Sequence, residues 1–100
     1  MSANAFEELE KKYDEIVGLM PDDDDFDSHD FILRLAQKNQ QLYVLALNEY
    51  ATNNQPFQTV HAEIAKRLKK REDLVKQFGS RYSKNIFGLE NEAAVWHKAK

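Results

Sequence analysis

The longest apolar-rich run that neither Gly nor Pro interrupts covers residues 31–50. At about 100° per residue, most of its apolar positions fall within one helical arc of about 160°. Leu33, Val44 and Leu45 lie outside that arc, so more than one neighbour must cover the helix. The pattern predicts a central helix over residues 28–51. The positions within the arc are Phe31, Ile32, Leu35, Ala36, Leu42, Tyr43, Ala46, Leu47 and Tyr50.

Asn39 is a polar residue near the middle of this apolar arc. A buried amide must find hydrogen-bond partners, because an unpaired one destabilises the fold. Two interpretations are open. Asn39 is either a hydrogen-bonded residue at a gap in the packing or a polar residue that fixes helix register at an oligomer interface.

The N-terminal segment has its own apolar seam, with spacings of 3 and 4 that predict a helix over residues 4–19. Asn4 is the expected N-cap residue. The seam either packs on its own domain or forms a dimerising or partner-docking arm. In the second case its protein-binding residues are Phe6, Leu9, Tyr13, Ile16 and Met20.

Pro21 ends this helix, and an acidic linker over residues 21–27 follows. Its consecutive carboxylates repel one another and stay hydrated. They lack the spacing, the central Gly and the closing Glu of an EF-hand, so we expect no metal site. Asp27 or Ser28 is expected to cap the central helix, with Asp30 favourable in its first turn.

In the second half, Pro56 predicts a helix start, and Phe57, Val60, Ile64 and Leu68 mark its apolar face. This helix either runs to residue 78 or bends near residues 70–73. Gly79 is then the expected C′ glycine. A loop pinned to the core by Ile86 and Phe87 follows. A last helix is expected from about Asn91, with one face formed by Leu89, Ala93 and Trp96.

These elements predict an all-α fold, a single small bundle of four to five helices around the central helix. The expected organisation is an amphipathic helix over residues 1–20, the acidic linker over residues 21–27 and a helical core over residues 28–100.

The composition fits one soluble globular domain, with 100 residues of which 42% are apolar and 31% are charged. There is no cysteine, which excludes disulfides and thiolate metal sites. We see neither a signal-peptide pattern nor an apolar run that could span a membrane, and we expect a cytoplasmic protein.

The charges divide sharply along the chain. Residues 1–50 hold 4 Lys+Arg and 12 Asp+Glu, whereas residues 51–100 hold 10 and 5. The basic half suggests contacts with nucleic-acid phosphates, although we favour the simpler interpretation of a solvated helix face that balances the acidic arm. The candidate nucleic-acid-binding residues are Lys66, Arg67, Lys69, Lys70, Arg71, Arg81, Tyr82 and Lys84.

Enzyme signatures are missing from the sequence. There is no phosphate-binding glycine loop, no nucleophile elbow, no H-E-x-x-H pair and no cysteine nucleophile. His29, His61 and His97 are far apart along the chain. We therefore expect a non-enzymatic protein with no catalytic residues, no cofactor, no metal and no small-molecule substrate.

The leading hypothesis is a small regulatory or adaptor protein that binds another macromolecule, a protein or a second copy of itself, as an oligomer. Its support is the seam of the first helix and an aromatic set larger than a minimal core needs, namely Tyr13, Tyr82, Phe87 and Trp96. One alternative is a nucleic-acid-binding regulator whose acidic arm shields the basic half. A second alternative is an acidic mimic of nucleic acid that occupies a basic site on another protein.

Overall fold

The computed structural model describes residues 5–22, 24–52 and 54–99. Helices and an antiparallel sheet share one hydrophobic core. In chain order the elements are α1 (Ala5–Glu10), α2 (Tyr13–Gly18), β1 (Phe26–Asp27), α3 (Ser28–Lys38), α4 (Gln40–Asn48), α5 (Pro56–Lys69), β2 (Val75–Lys84) and β3 (Glu90–Lys98).

The predicted all-α bundle is wrong, because the last quarter of the chain is a β-hairpin. Strands β2 and β3 pair antiparallel, and the short strand β1 pairs with the other side of β3, giving the order β1-β3-β2. Gln77 lies opposite Trp96 and Gly79 opposite Val95, so Phe78 is the extra residue of a β-bulge. We call β2, the turn over residues 85–89 and β3 together the hairpin.

The predicted last helix is therefore a strand. Glu90, Ala93 and Ala94 suit a helix locally, but β3 lies between two strands that pair with its backbone groups. Strand preference depends mainly on such neighbours, which local propensity does not report. The assignment of Gly79 as a helix-ending glycine is also wrong. It lies in β2 beside the bulge with a φ of 156°.

The predicted central helix is broken at Asn39, which separates α3 from α4 with φ −136° and ψ 55°. Its half-buried side chain donates a hydrogen bond to the Leu35 carbonyl at 3.2 Å. This agrees with the first interpretation of Asn39, a hydrogen-bonded residue at a gap. The break lets α3 contact the sheet and α5 while α4 contacts α1.

The N-terminal seam also forms two helices rather than one. A turn at Lys11 and Lys12 separates α1 from α2, and the Lys12 amide donates to the Leu9 carbonyl at 2.9 Å. The two pieces face different neighbours, because α1 packs on α4 and α2 packs on α3. The expected cap at Asn4 lies outside the described residues.

Several predicted boundaries are confirmed. Asp27 caps α3 in a capping box with Asp30, and Pro56 opens α5. The chain turns after Lys69, as the bend prediction required, but it continues as strand β2 rather than as helix.

Polar contacts tie the core together across long sequence separations. Trp96 Nε1 donates to Ser28 Oγ at 3.0 Å, which fastens β3 to the first turn of α3. Tyr13 Oη donates to the Ile64 carbonyl at 2.9 Å, and its ring meets Phe31 edge to face at 4.9 Å. The N-terminal helices are thus part of the same core as the sheet.

Candidate functional site

The hairpin exposes four large apolar side chains to solvent. The exposed fractions are 56% for Phe78, 75% for Tyr82, 51% for Phe87 and 67% for Leu89. Tyr82 and Phe87 belong to the aromatic set that the sequence marks as larger than a minimal core needs, whereas the exposure of Phe78 and Leu89 was not predicted. Residue 78 is the end of the longer extent predicted for the helix that starts at Pro56, and Leu89 lies on the face of the predicted last helix, which does not form.

The turn of the hairpin holds two of these side chains in place. Asn85 Oδ1 accepts hydrogen bonds from the amides of Phe87 and Leu89, at 2.9 and 3.1 Å. Gly88 has a φ of 84°, which an L side chain adopts only with strain. The presentation of Phe87 and Leu89 is therefore determined by the backbone of the turn.

Phe87 also contacts the start of α5. The centroid of its ring lies 4.8 Å from that of the Phe57 ring and 6.0 Å from that of the His61 ring, on which it stacks. His61 Nε2 is joined to Tyr43 Oη by a hydrogen bond of 2.6 Å. Burial, assisted by the charge of His29, lowers the pKa of His61 to about 4. The imidazole is therefore neutral at pH 7.

One face of the hairpin looks toward α5. Opposed residues of paired strands share a face, which places Tyr82 with Glu92, Ser80 with Ala94 and Gln77 with Trp96. Ala94, Trp96 and Gln77 line a cavity together with residues of α5. Tyr82 thus lies on the same face, farther along the hairpin.

A groove runs between α5 and this face, and we call it the α5 groove. It consists of three cavities of about 450, 310 and 350 Å³ that share lining residues. Ala62, Ala65 and Ala94 line both of the first two, while Lys69, Gln77 and Trp96 line both of the last two. This groove could not be predicted from the sequence, because α5, the hairpin and the α3 residues Ser28, His29 and Ile32 that line it come together only when the whole chain folds.

Apart from Tyr82, which is exposed, the predicted nucleic-acid-binding residues separate into two groups. Lys66, Lys69, Lys70 and Lys84 are exposed and form no ion pair with a described residue. Lys66 and Lys69 line the α5 groove, whereas Lys70 follows α5 and Lys84 ends β2. The three arginines are held by carboxylates of the chain itself.

Two of these arginines join α5 and the turn after it to the N-terminal helices. Arg67 contacts Glu63 at 2.8 Å and Glu10 at 3.4 Å. Arg71 contacts Asp14 at 3.3 Å and also pairs with the nearby Asp73. Both guanidinium groups are thus occupied in the folded chain.

Arg81 joins β2 to the acidic linker. Its Nε donates to Asp27 at 3.1 Å and its Nη1 to Asp25 at 3.0 Å. Burial by itself would raise the pKa of Asp27, but hydrogen bonds from the Asp30 amide, Ser83 and Arg81 outweigh it and lower the pKa. Asp27 is therefore ionised at neutral pH.

The predicted protein-binding seam lies inside the core. Phe6, Leu9, Tyr13, Ile16 and Met20 are each at most 6% exposed. In this fold the seam contacts α3, α4 and α5 of its own chain, so it does not present a surface to a partner.

Ser83, His29 and Asp27 form the cluster that most resembles catalytic chemistry. His29 Nδ1 is 2.7 Å from Ser83 Oγ, and Ser83 also hydrogen-bonds Asp27. In a catalytic triad the imidazole lies between the hydroxyl and the carboxylate, whereas here the hydroxyl lies between the other two. The cluster therefore lacks the order of a triad.

Among the described residues, no group of three or more His, Asp or Glu side chains is arranged to hold a metal ion. Within the same residues, no helix combines the length and the apolar character that crossing a membrane requires. Comparison of the chain with protein-family models, with curated proteins and with solved structures gives no match.

Proposed function

We propose that this chain is a small non-enzymatic binding protein, regulatory or adaptor in role, that recognises another protein through its hairpin. The observation that carries the proposal is the exposure of Phe78, Tyr82, Phe87 and Leu89 on this one element. Large apolar side chains exposed on a surface can mark interaction sites, and aromatic residues often dominate the binding energy of interfaces. We retain the cytoplasm as the proposed compartment.

The position of β2 supports the same proposal. It is ten residues long and lies at the edge of the sheet, so no strand among the described residues pairs with one side of its backbone. Its bulge and its cations limit uncontrolled pairing with other strands. An edge of this kind can still accept a specific partner segment.

Nucleic-acid binding is the second candidate function. It is favoured by Lys66, Lys69 and Lys84, which form no ion pair with a described residue, and by the exposed ring of Tyr82. The contacts of Arg67 and Arg71 with the acidic N-terminal helices fit a shielding arm. These contacts also pair both guanidinium groups with carboxylates of the chain, and phosphate binding would need the same two groups. We therefore rank this candidate second.

The acidic-mimic hypothesis ranks third. Asp14, Asp25 and Asp27 bind arginines of their own chain and are not arranged as an unneutralised acidic surface.

The test compares two variants that each remove two exposed apolar side chains. Tyr82→Ser with Leu89→Ser alters the hairpin, and Val44→Ser with Leu45→Ser alters exposed positions of α4. A protein captured from the cells that make this chain is purified, and its affinity for each variant is measured by calorimetry. Light scattering measures self-association in the same samples.

We expect the hairpin variant to bind the purified partner at least about tenfold more weakly, while the α4 variant binds as the wild type does. Hairpin-dependent self-association would identify the partner as a second copy. Equal binding by wild type and hairpin variant, or binding of oligonucleotides alone, would overturn the proposal.

A further inference from the structure

We propose that the α5 groove binds an extended segment of the partner that combines acidic and small apolar residues. This inference rests on the proposed function, because it names the chemical class of segment that the protein recognises. The hairpin and the α5 groove adjoin each other, because Tyr82 lies on the sheet face that forms one wall of the groove.

The dimensions of the groove suit an extended chain. Gln58 lines one end and Lys69 the other, eleven residues apart on α5. At about 1.5 Å per helical residue this is about 16 Å, the length of roughly five residues in a strand.

The wall chemistry favours a peptide backbone close to the protein. Ala62, Ala65 and Ala94 contribute methyl groups to the middle and one end of the groove, and that end also has polar lining residues, among them His29 of α3 and His61. Small side chains allow close approach and accept small apolar residues of a ligand. Gln77 provides an amide that can both donate to and accept from a peptide backbone.

Charged side chains of the α5 groove indicate which ligand charge it favours. Lys66 and Lys69 line the middle cavity, which has no carboxylate in its lining. Lys76 extends the basic side into the next cavity, and Glu72 and Glu92 lie in the two outer cavities. Ala62, Ala65, Lys66 and Lys69 share one face of α5, because they are three, four and seven residues apart. A ligand that lies along this face meets methyl groups and both ammonium groups, where small apolar side chains and carboxylates are favoured.

A nucleic acid matches this groove less well. The lining offers the single aromatic side chain of Trp96 in its basic part, and Trp96 is 2% exposed and donates its Nε1 to Ser28. Base stacking needs an accessible ring face. The lining therefore favours a peptide.

The test uses the full chain and fluorescein-labelled seven-residue peptides. The probe alternates valine and glutamate, and matched peptides alternate valine with glutamine or valine with lysine. Binding is measured by fluorescence anisotropy, and the site is located from the amide NMR shifts of Ala62, Ala65 and Ala94. Labelled single-stranded deoxythymidine decamer is titrated in parallel.

Two charge-reversal variants provide the control. Lys66→Glu with Lys69→Glu alters the groove, and Arg34→Glu with Lys38→Glu makes the same charge change on α3, outside the three cavities. Ala62→Trp fills the groove without changing charge. Lys66→Gln with Lys69→Gln, a milder change, covers the case that the reversed pair fails to fold.

We expect the glutamate peptide to bind at the groove and to lose affinity by about tenfold or more in the groove variants. The α3 variant should change affinity by no more than about twofold, which exposed distant charges allow. Absence of shifts at the groove, equal binding of the glutamine peptide, or equal loss in the α3 variant would overturn the inference. Groove-dependent binding of the decamer without the peptide would overturn it in favour of nucleic acid. In each of these cases hairpin-dependent capture of a protein partner would leave the proposed function standing.

Discussion

Asp27 is the residue at which the acidic linker, the first long helix and the sheet meet. It is 2% exposed, its backbone pairs with β3, and its carboxylate accepts from the Asp30 amide and from Arg81. A buried carboxylate is tolerated only when it is bonded in this way. Its side chain therefore serves both as a helix cap and as the inner partner of a cross-chain ion pair.

We predict that Asp27→Ala lowers the free energy of unfolding at pH 7 by about 2 kcal/mol or more, because it removes the cap and leaves Arg81 without its inner partner. Asp25→Ala is the control. Asp25 binds the same guanidinium but caps no helix, so we expect a loss below about 1 kcal/mol. Urea unfolding measures both. A loss no larger for Asp27→Ala than for Asp25→Ala would contradict this role.

The pH dependence of the Asp27 contribution has a definite sign. The folded pKa lies below the ordinary value of 3.8, so the carboxylate stabilises the fold above that pH and the contribution is lost as the pH falls through the folded pKa. The difference between wild type and Asp27→Ala should therefore shrink in strong acid.

His61 is a second residue whose surroundings control its protonation. We predict a titration midpoint near 4 by NMR, moving toward the ordinary 6.5 in Phe87→Ala, because that change exposes the stacked ring. Phe78→Ala is the control, since Phe78 contacts His97 instead. A midpoint that stays near 4 in Phe87→Ala would show that Phe87 does not cover the imidazole.

The lowered pKa of His61 also makes the stability of the fold depend on pH. The folded pKa of His61 is lower than the unfolded value, so neutral His61 stabilises the fold above about pH 6.5 and this contribution is lost as the pH falls toward 4.

At the scale of elements, the break at Asn39 decides which side chains of the apolar run reach the core. Leu35 on α3 is completely buried, whereas Leu42 on α4 is only partly covered. One straight helix would place both on the same face. The change of direction gives α3 the sheet and α5 as neighbours and leaves α4 against α1, α3 and α5.

We predict that Leu35→Ala costs about 2–5 kcal/mol in urea unfolding, because the methyl groups removed leave a cavity. Leu42→Ala should cost less than Leu35→Ala, since solvent replaces part of the lost packing. Leu33→Ala, at a position 38% exposed, is the surface control and should cost less than about 1 kcal/mol. Equal costs for Leu35 and Leu42 would indicate an unbroken helix.

At the scale of the molecule, the two oppositely charged halves fold against each other. Glu10–Arg67, Asp14–Arg71 and Asp22–Lys98 each join the acidic half to the basic half. The apolar core joins them as well, because Phe6, Leu9 and Ile16 are buried together with residues of α3 and α5. Residues 28–100 therefore lack a complete core of their own.

We predict that a fragment of residues 28–100 shows no cooperative thermal unfolding, because deletion of residues 1–27 uncovers the apolar faces of α3, α4 and α5. Addition of a peptide of residues 1–27 should restore a transition that depends on peptide concentration. Calorimetry and circular dichroism measure both. A cooperative transition of the fragment alone, equal to that of the full chain, would establish an independent domain.

Much of the helical part follows from the sequence. The cap at Asp27, the start at Pro56 and the turn after Lys69 were all predictable, because caps, proline and charge runs act through neighbours within a few residues. The burial of the seam containing Leu9 and Ile16 agrees with one of its two interpretations. The hairpin had one local signal, a glycine-containing turn of five residues between two segments of strand length.

The amino-acid order alone determined where α3 and α5 begin, which positions are apolar and how charge divides between the halves. Tertiary structure decided that residues 75–98 pair as strands, that the apolar run breaks at Asn39 and that Lys66 and Lys69 face a groove. The physical reason is the range of the interactions. A helix satisfies its backbone within itself, whereas a strand needs hydrogen-bond partners that are brought beside it only when the whole chain folds.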